Sequence, residues 1–422
     1  MRDVMYSARK QSKSGKIKTA FITVFAGVPV LFVVGVGVYA WFFFEPPELT
    51  ITQAEMASSK PAEVSLPWPD DGIAAIGAVG YGVLADDGNA DQVVPIASIA
   101  KLFLALALQQ ERPITVGQEG ETIVFDQADA ERFIATIEEN GSSYPIEAGN
   151  QLTQREAMQA LLIPSANNVA DSLTEWGFGS EVAYLEYVAQ MNEELGLEQT
   201  VIADASGMAA ASVSTPRELI MVAEAVLEDP VLAEIVAQPQ LTIDQAVGTA
   251  FNTNQLLQEQ FVTGVKTGTT DEAGANLIFS ANYPLTEDIS ETIIGVTLGQ
   301  SEREVNTEVS SQLLVSSFEN FGFVEVVEEN TIVATYNVPW GEDVEIITNG
   351  GITVAGWLGR SYEPVVDVDV VDAPIGLTQE VGVLAVEAGN RRSEVPVVTT
   401  GTVTEPSFWW RYRATLQGII PW

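Results

Sequence analysis

The spacing of apolar positions divides this 422-residue chain into stretches of different character. An uncharged run from Thr19 to Phe44, TAFITVFAGVPVLFVVGVGVYAWFFF, is long enough to cross a bilayer as one helix. Residues 45–66 are rich in Pro, Ser, Ala and Glu and read as an extended tether. The β-like runs of AAIGAVGYGVLA follow, and then SIAKLFLALALQQE predicts a buried helix halted at Arg112-Pro113. A capping box from Thr153 to Glu156 announces a second helix that ends at Pro164. Two more helices are expected over SEVAYLEYVAQMNEELG, stopped by Gly196, and STPRELIMVAEAVLED, with Pro216 near its start.

The period then shortens to two. FVTGVKTGTT, GANLIFSANY and ETIIGVTLGQ predict consecutive strands of an antiparallel sheet, and TEVSSQLLVSSFEN a closing helix near residue 320. From Phe321 to about Thr400 the chain is strand-like throughout, with Asn349-Gly350-Gly351 expected as a hairpin turn. The pattern therefore predicts an α/β (α+β) domain over residues 67–320, its antiparallel sheet flanked by helices, and a smaller all-β domain over 321–404. In the tail, residues 405–422, a helix would bring Phe408, Tyr412 and Leu416 to one face, suited to a membrane interface or to packing on the β domain.

Charge orients these parts. The net charge is −39, yet Arg2, Arg9, Lys10, Lys13, Lys16 and Lys18 precede the apolar run and only Asp3 opposes them. The positive-inside rule puts residues 1–18 in the cytoplasm, residues 19–44 in the cell membrane as a single-pass anchor, and the catalytic part outside. Val38-Tyr39-Ala40 loosely resembles a signal-peptide cleavage site, but the apolar run continues past it to Phe44, so an uncleaved anchor is expected. The acidic remainder repels phosphates, so no nucleic acid partner is expected.

Composition narrows the chemistry further. Histidine and cysteine are both absent, which excludes a Ser-His-Asp triad, a Cys-His pair and His- or Cys-ligated zinc. A hydrolase built from these residues needs a serine or threonine nucleophile activated by a lysine or a carboxylate. Of seven lysines, four lie in the basic arm and Lys60 in the linker, so the globular part keeps only Lys101 and Lys266. Retaining lysine where arginine is otherwise used suits a group that must exchange a proton near neutral pH.

Both lysines lie in short motifs. Ser98 and Lys101 are three residues apart on a predicted helix, so their side chains emerge on one face and the apolar surroundings lower the lysine's proton affinity. Ser7-Ala-Arg-Lys10 has the same spacing but lies in the basic arm. Ser165-Ala166-Asn167 sits just after Pro164 on an expected inter-helix loop, and Ser280-Ala281-Asn282 repeats that tripeptide on a strand. Lys266-Thr267-Gly268 occurs once, on a strand that would offer a cation, a hydroxyl and close backbone approach to a ligand ending in a carboxylate.

In this order the three motifs form the set of serine penicillin-recognising enzymes. GVLADDGNADQVVPIASIAKL, LTQREAMQALLIPSANNVADSL, MNEELGLEQTVIADASGM and GVKTGTTDEAGANLIFSA resemble the serine D-alanyl-D-alanine carboxypeptidases, the low-molecular-mass penicillin-binding proteins, over about residues 66–320. The resemblance implies a β-lactamase/transpeptidase-like fold and removal of the terminal D-alanine from peptidoglycan stem peptides, with β-lactams as covalent inhibitors and no cofactor or metal. It implies that Ser98 attacks the carbonyl between the two D-alanines, Lys101 accepts its proton and Ser165 relays a proton to the leaving amine. Asn167 would bind the substrate backbone, Lys266 and Thr267 would hold the terminal carboxylate with Gly268 beside them in the substrate-binding strand, and the Ser98 and Thr269 amides would form the oxyanion hole. Two positions depart from the usual wording: Asn168 stands where aspartate is common, and Thr269-Thr270 where histidine often follows Lys-Thr-Gly.

A β-lactamase of the same fold is the nearest rival, but no Glu-x-x-Leu-Asn pattern occurs between residues 170 and 260. An endopeptidase or transpeptidase shares the acylation step. A non-catalytic wall-binding protein has no reason to keep a base at position 101.

Overall fold

The computed structural model describes residues 14–242 and 249–419, with side chains from residue 27 onward. A five-stranded antiparallel sheet carries the architecture, in the order Val262–Thr270, Gly274–Pro284, Ser290–Gln300, Ile73–Ala78 and Gly82–Asp86. The inner strand Ile73–Ala78 is buried at every position because the sheet is covered on both faces. Its alternation sorts two cores: Ile73 and Ala75 join the helical side with Ile278, Ile294 and Val296, while Ala74, Ile76 and Ala78 face the other way with Leu277, Phe279 and Ile293.

The helical side is built around Lys101–Glu111, whose residues 101–109 are all buried. A helix of that kind has no polar face to solvate, so it becomes the axis on which its neighbours pack. The predicted helices appear at Gln154–Leu162, Glu181–Glu194 and Pro216–Glu228, the first with both hydrogen bonds of its capping box and the last with Pro216 in its first turn. On the opposite face of the sheet lies Arg303–Glu319. The second core continues from that face into the β-rich region through Phe321, Trp357, Val354 and Tyr336, and Arg391 pairs with the buried Glu291 across the same boundary.

The β-rich region differs from expectation in two respects. Asn349-Gly350-Gly351 links strands Val344–Thr348 and Ile352–Trp357, but these do not pair: the former lies in a six-stranded sheet and the latter pairs with Phe321–Val327. The turn therefore carries the chain from one sheet to another rather than closing a hairpin. Within the stretch read as a tether, Thr50–Gln53 is the edge strand of the six-stranded sheet, paired with Ile332–Asn337. Unpaired N–H and C=O groups on that edge recruit an extended segment readily.

The first helix, Ser14–Phe42, covers most of the apolar run. Residues 1–13 of the basic arm lie outside the described residues, and the run before residue 27 outside the described side chains. Among the described residues no helix is long and apolar enough to cross a membrane. The tail forms the helix Phe408–Ile419. Phe408 faces Gly37 and Trp41, and Trp410 packs on Trp340 while its indole N–H donates to the Pro339 carbonyl at 3.2 Å.

Candidate active site

Three elements converge where the helical side meets the sheet. A 3-10 turn, Ala97–Ala100, leads directly into the helix Lys101–Glu111 and carries Ser98 on its exposed side. Two glycines hold this turn between them. A Cβ on Gly268 would stand 2.7 Å from the Ile96 carbonyl oxygen and 3.0 Å from the Ser98 nitrogen, and one on Gly207 would stand 1.9 Å from the Ala97 carbonyl oxygen. Only glycine lets strand and loop approach the Ser98 backbone so closely.

The Lys101 ammonium is fully buried and has three partners: Ser98 Oγ at 2.9 Å, Asn167 Oδ1 at 2.8 Å and the Ser206 carbonyl at 2.6 Å. Burial pushes its pKa down to about 7, against the opposing pull of the Asp204 and Asp171 carboxylates. The partner set fixes the geometry of the neutral amine. The amide oxygen of Asn167 and the carbonyl of Ser206 can only accept, so they take N–H groups, and the lone pair is left facing Ser98 Oγ. A lysine so arranged is ready to remove the serine's proton.

Ser165 lies between the helices Gln154–Leu162 and Asn167–Phe178, with a positive φ of 63°. An L-residue held there costs about 1 kcal/mol or more, and such strain is characteristic of functional positions. Its Oγ accepts from Lys266 Nζ at 2.8 Å, and Lys266 also donates to the Thr267 carbonyl at 2.9 Å. Lys266 is 1% exposed. Its pKa lies well below the usual lysine range, first through burial and then through the positive charges of Lys101 and Arg303. Asn167 opens its helix, and its backbone N–H donates to the Ser142 carbonyl at 2.7 Å.

Thus Ser98, Lys101, Ser165, Asn167, Lys266 and Gly268 are brought together, while Thr267 and Thr269 are half-buried at alternate positions of the same strand. There Thr267 Oγ1 meets Thr253 Oγ1 at 2.6 Å, and Arg303 Nε donates to Thr269 Oγ1 at 3.0 Å. These groups line a cavity of about 150 Å³ with Asn276 and Asn306. Arg303 and Thr253 are absent from the sequence reading, since neither belongs to a recognisable local pattern. The available signal was that Arg303 is the one arginine between the Lys-Thr-Gly strand and residue 320.

The second asparagine of the Ser-Ala-Asn-Asn motif has a different task. Asn168 accepts from the Tyr144 N–H at 3.0 Å and donates to the Tyr144 carbonyl at 2.9 Å. An aspartate could not make the second bond, because an ionised carboxylate only accepts. Asn168 therefore anchors a neighbouring segment and lies outside the reactive cluster.

The family model for D-alanyl-D-alanine carboxypeptidase matches residues 79–301, more than half of the chain. Among curated relatives, the D-alanyl-D-alanine carboxypeptidase DacF of Bacillus subtilis is 24% identical over 342 residues, which cover 77% of this chain and 84% of the relative. A D-alanyl-D-alanine endopeptidase of Pseudomonas aeruginosa is 26% identical over 233 residues, 53% of this chain and 72% of the relative. Penicillin binding protein 5 from Haemophilus influenzae shares the fold with a TM-score of 0.58 at 18% identity, covering 81% of this chain and all of that one. With a family match across the whole reactive cluster, from before Ser98 to beyond Lys266, the chain belongs to the D-alanyl-D-alanine carboxypeptidase family.

Proposed function

We propose that this serine D-alanyl-D-alanine carboxypeptidase works through an acyl-enzyme on Ser98. The observation that carries the assignment is the coordination of Lys101, whose two acceptor-only partners leave its lone pair to Ser98 Oγ. Lys101 takes the hydroxyl proton as Ser98 Oγ bonds to the carbonyl carbon between the two D-alanines. The oxygen of that carbonyl becomes an oxyanion facing the amides of Ser98 and Thr269, where each donor is typically worth about 3–4 kcal/mol. When the C–N bond breaks, Ser165 passes a proton to the departing amine and is resupplied through Lys266. The proton held by Lys101 returns through solvent to the Ser165–Lys266 pair, and the neutral Lys101 then takes a proton from the water that attacks the ester carbonyl; as the ester C–O bond breaks, Lys101 gives that proton to Ser98 Oγ and the shortened peptide leaves.

Removal of one terminal residue requires recognition of its free carboxylate. Arg303 supplies a cation and Thr253, Thr267 and Thr269 supply hydroxyls around one cavity, with the Lys266 amine beside Thr267 as a further N–H donor. A planar guanidinium matches a carboxylate in shape as well as charge. Asn167 keeps the role of binding the substrate backbone, alongside its bond to Lys101.

We also assign residues 19–44 as a membrane anchor that leaves residues 67–320 as an extracytoplasmic peptidase domain and 321–404 as its β-rich companion. Support comes from the basic arm before the apolar run and from Val30, Leu31, Phe32, Val33 and Val34, all exposed on the first helix. The experiment for the activity is incubation with a pentapeptide ending in D-alanyl-D-alanine, read by mass spectrometry: one free D-alanine and a tetrapeptide are expected. A dimer formed with an added amine acceptor, without free tetrapeptide, would point instead to transpeptidation.

A further inference from the structure

The loop of residues 203–212 touches the reactive cluster on two sides, and one carboxylate organises it. The Ser206 carbonyl accepts from Lys101 Nζ at 2.6 Å, Gly207 lies against the Ala97–Ser98 peptide, and the Ser212 carbonyl accepts from the Ile96 N–H at 3.0 Å. Residues on this loop therefore meet the start of the nucleophile's turn at two points, Ile96 and the Ala97–Ser98 peptide, and the general base at its head. Nothing about a carbonyl confines it to this position, since a loop without regular structure has many conformations open to it.

Asp204 supplies the confinement. Its Oδ2 accepts from Ser206 Oγ at 2.6 Å and the Met208 N–H at 2.9 Å, and its Oδ1 accepts from Ser212 Oγ at 2.9 Å and the Ala209 N–H at 3.4 Å. Ser212 Oγ in turn accepts from the Ala203 N–H at 3.0 Å. Both oxygens are thus used within the loop, and the fold of the loop is closed on itself around one negative charge. An ionised acceptor makes such bonds roughly twice as strong as a neutral one.

We propose that Asp204 is the positioning residue of the general base: it fixes residues 203–212 so that the Ser206 carbonyl and the Asn167 amide oxygen aim the Lys101 amine at Ser98. It touches neither substrate nor the reacting atoms. Its negative charge has a second effect, because it faces Lys101 together with Asp171 and favours the ammonium form. The charged groups around Lys101 are Asp204 from the loop, Asp171 from the helix Asn167–Phe178 and Lys266 from the sheet.

The proposal rests on Lys101 acting as base, and the test separates the two. Acylation of the full chain by a fluorescent penicillin is followed against pH for Asp204→Asn, Ser212→Ala and Lys101→Ala. In Asp204→Asn the amide nitrogen cannot accept, so acylation slows by about tenfold or more, in keeping with the sensitivity of catalysis to small displacements. With the anion gone, the acid limb of the rate profile also moves to lower pH. Ser212→Ala keeps the charge and loses one donor, giving about threefold slower acylation with the limb in place, and this variant decides the matter should Asp204→Asn fail to fold. Parental rates in a folded Asp204→Asn, or a slowed variant whose acid limb does not move, overturn the proposal. Normal acylation by Lys101→Ala would instead overturn the assignment of the base.

Discussion

Lys266 Nζ donates to Ser165 Oγ at 2.8 Å, although the two residues are 101 positions apart in the chain and both are buried. The bond occupies a lone pair of the hydroxyl and leaves its proton free to be given to a leaving amine. Ser165→Ala is expected to fold normally and to lose about 10²-fold or more in kcat/KM for a D-alanyl-D-alanine peptide, the usual scale of general acid–base catalysis. Steady-state kinetics with circular dichroism as the folding control checks it.

The pKa of Lys101, lowered to about 7 by burial, sets a pH dependence. The neutral amine is the active form, so acylation is slow below that pH, rises through it and levels off above. Stopped-flow acylation across pH 5 to 9 reads this directly. A rate independent of pH over that range would argue against an amine base.

Arg303 is exposed at the start of its helix and donates to Thr269 Oγ1 at 3.0 Å, lining the same cavity as Thr267. Its replacement by alanine is expected to raise KM for peptides with a free terminal carboxylate by about tenfold, with a smaller effect on kcat. Arg303→Lys should recover only part of this, because an ammonium lacks the planar pair of donors.

Gly268→Ala tests the close approach of strand and nucleophile. The added Cβ would meet the Ile96 carbonyl oxygen at 2.7 Å and the Ser98 nitrogen at 3.0 Å. Either the strand or the turn must shift, and acylation is expected to fall by about 10²-fold while the remainder of the fold survives. Penicillin labelling with a thermal melt measures both.

Much of this site was legible because its chemistry depends on residues close in sequence. Ser98 and Lys101 meet through helical spacing alone, and the lack of histidine and cysteine left a lysine or a carboxylate as base, with the scarcity of lysine in the globular part singling out Lys101 and Lys266. The decoy serines separate by position: Ser280 lies on a strand and bonds Thr263 at 3.0 Å, away from the cluster. What the sequence hid is what tertiary contact decides. Arg303 reaches the cleft only because its helix follows the third strand of the sheet, and Asp204 matters only through how its loop closes. The Asn349-Gly350-Gly351 turn shows the same limit. Its chemistry announces a reversal of the chain but not which sheet receives the next strand.

The most direct test of the central claim is the site of covalent modification by penicillin in the full chain. Tryptic mass spectrometry is expected to find one adduct, on Ser98, absent from Ser98→Ala and from Lys101→Ala. An adduct on any other residue, or labelling that persists in Ser98→Ala, would contradict the account.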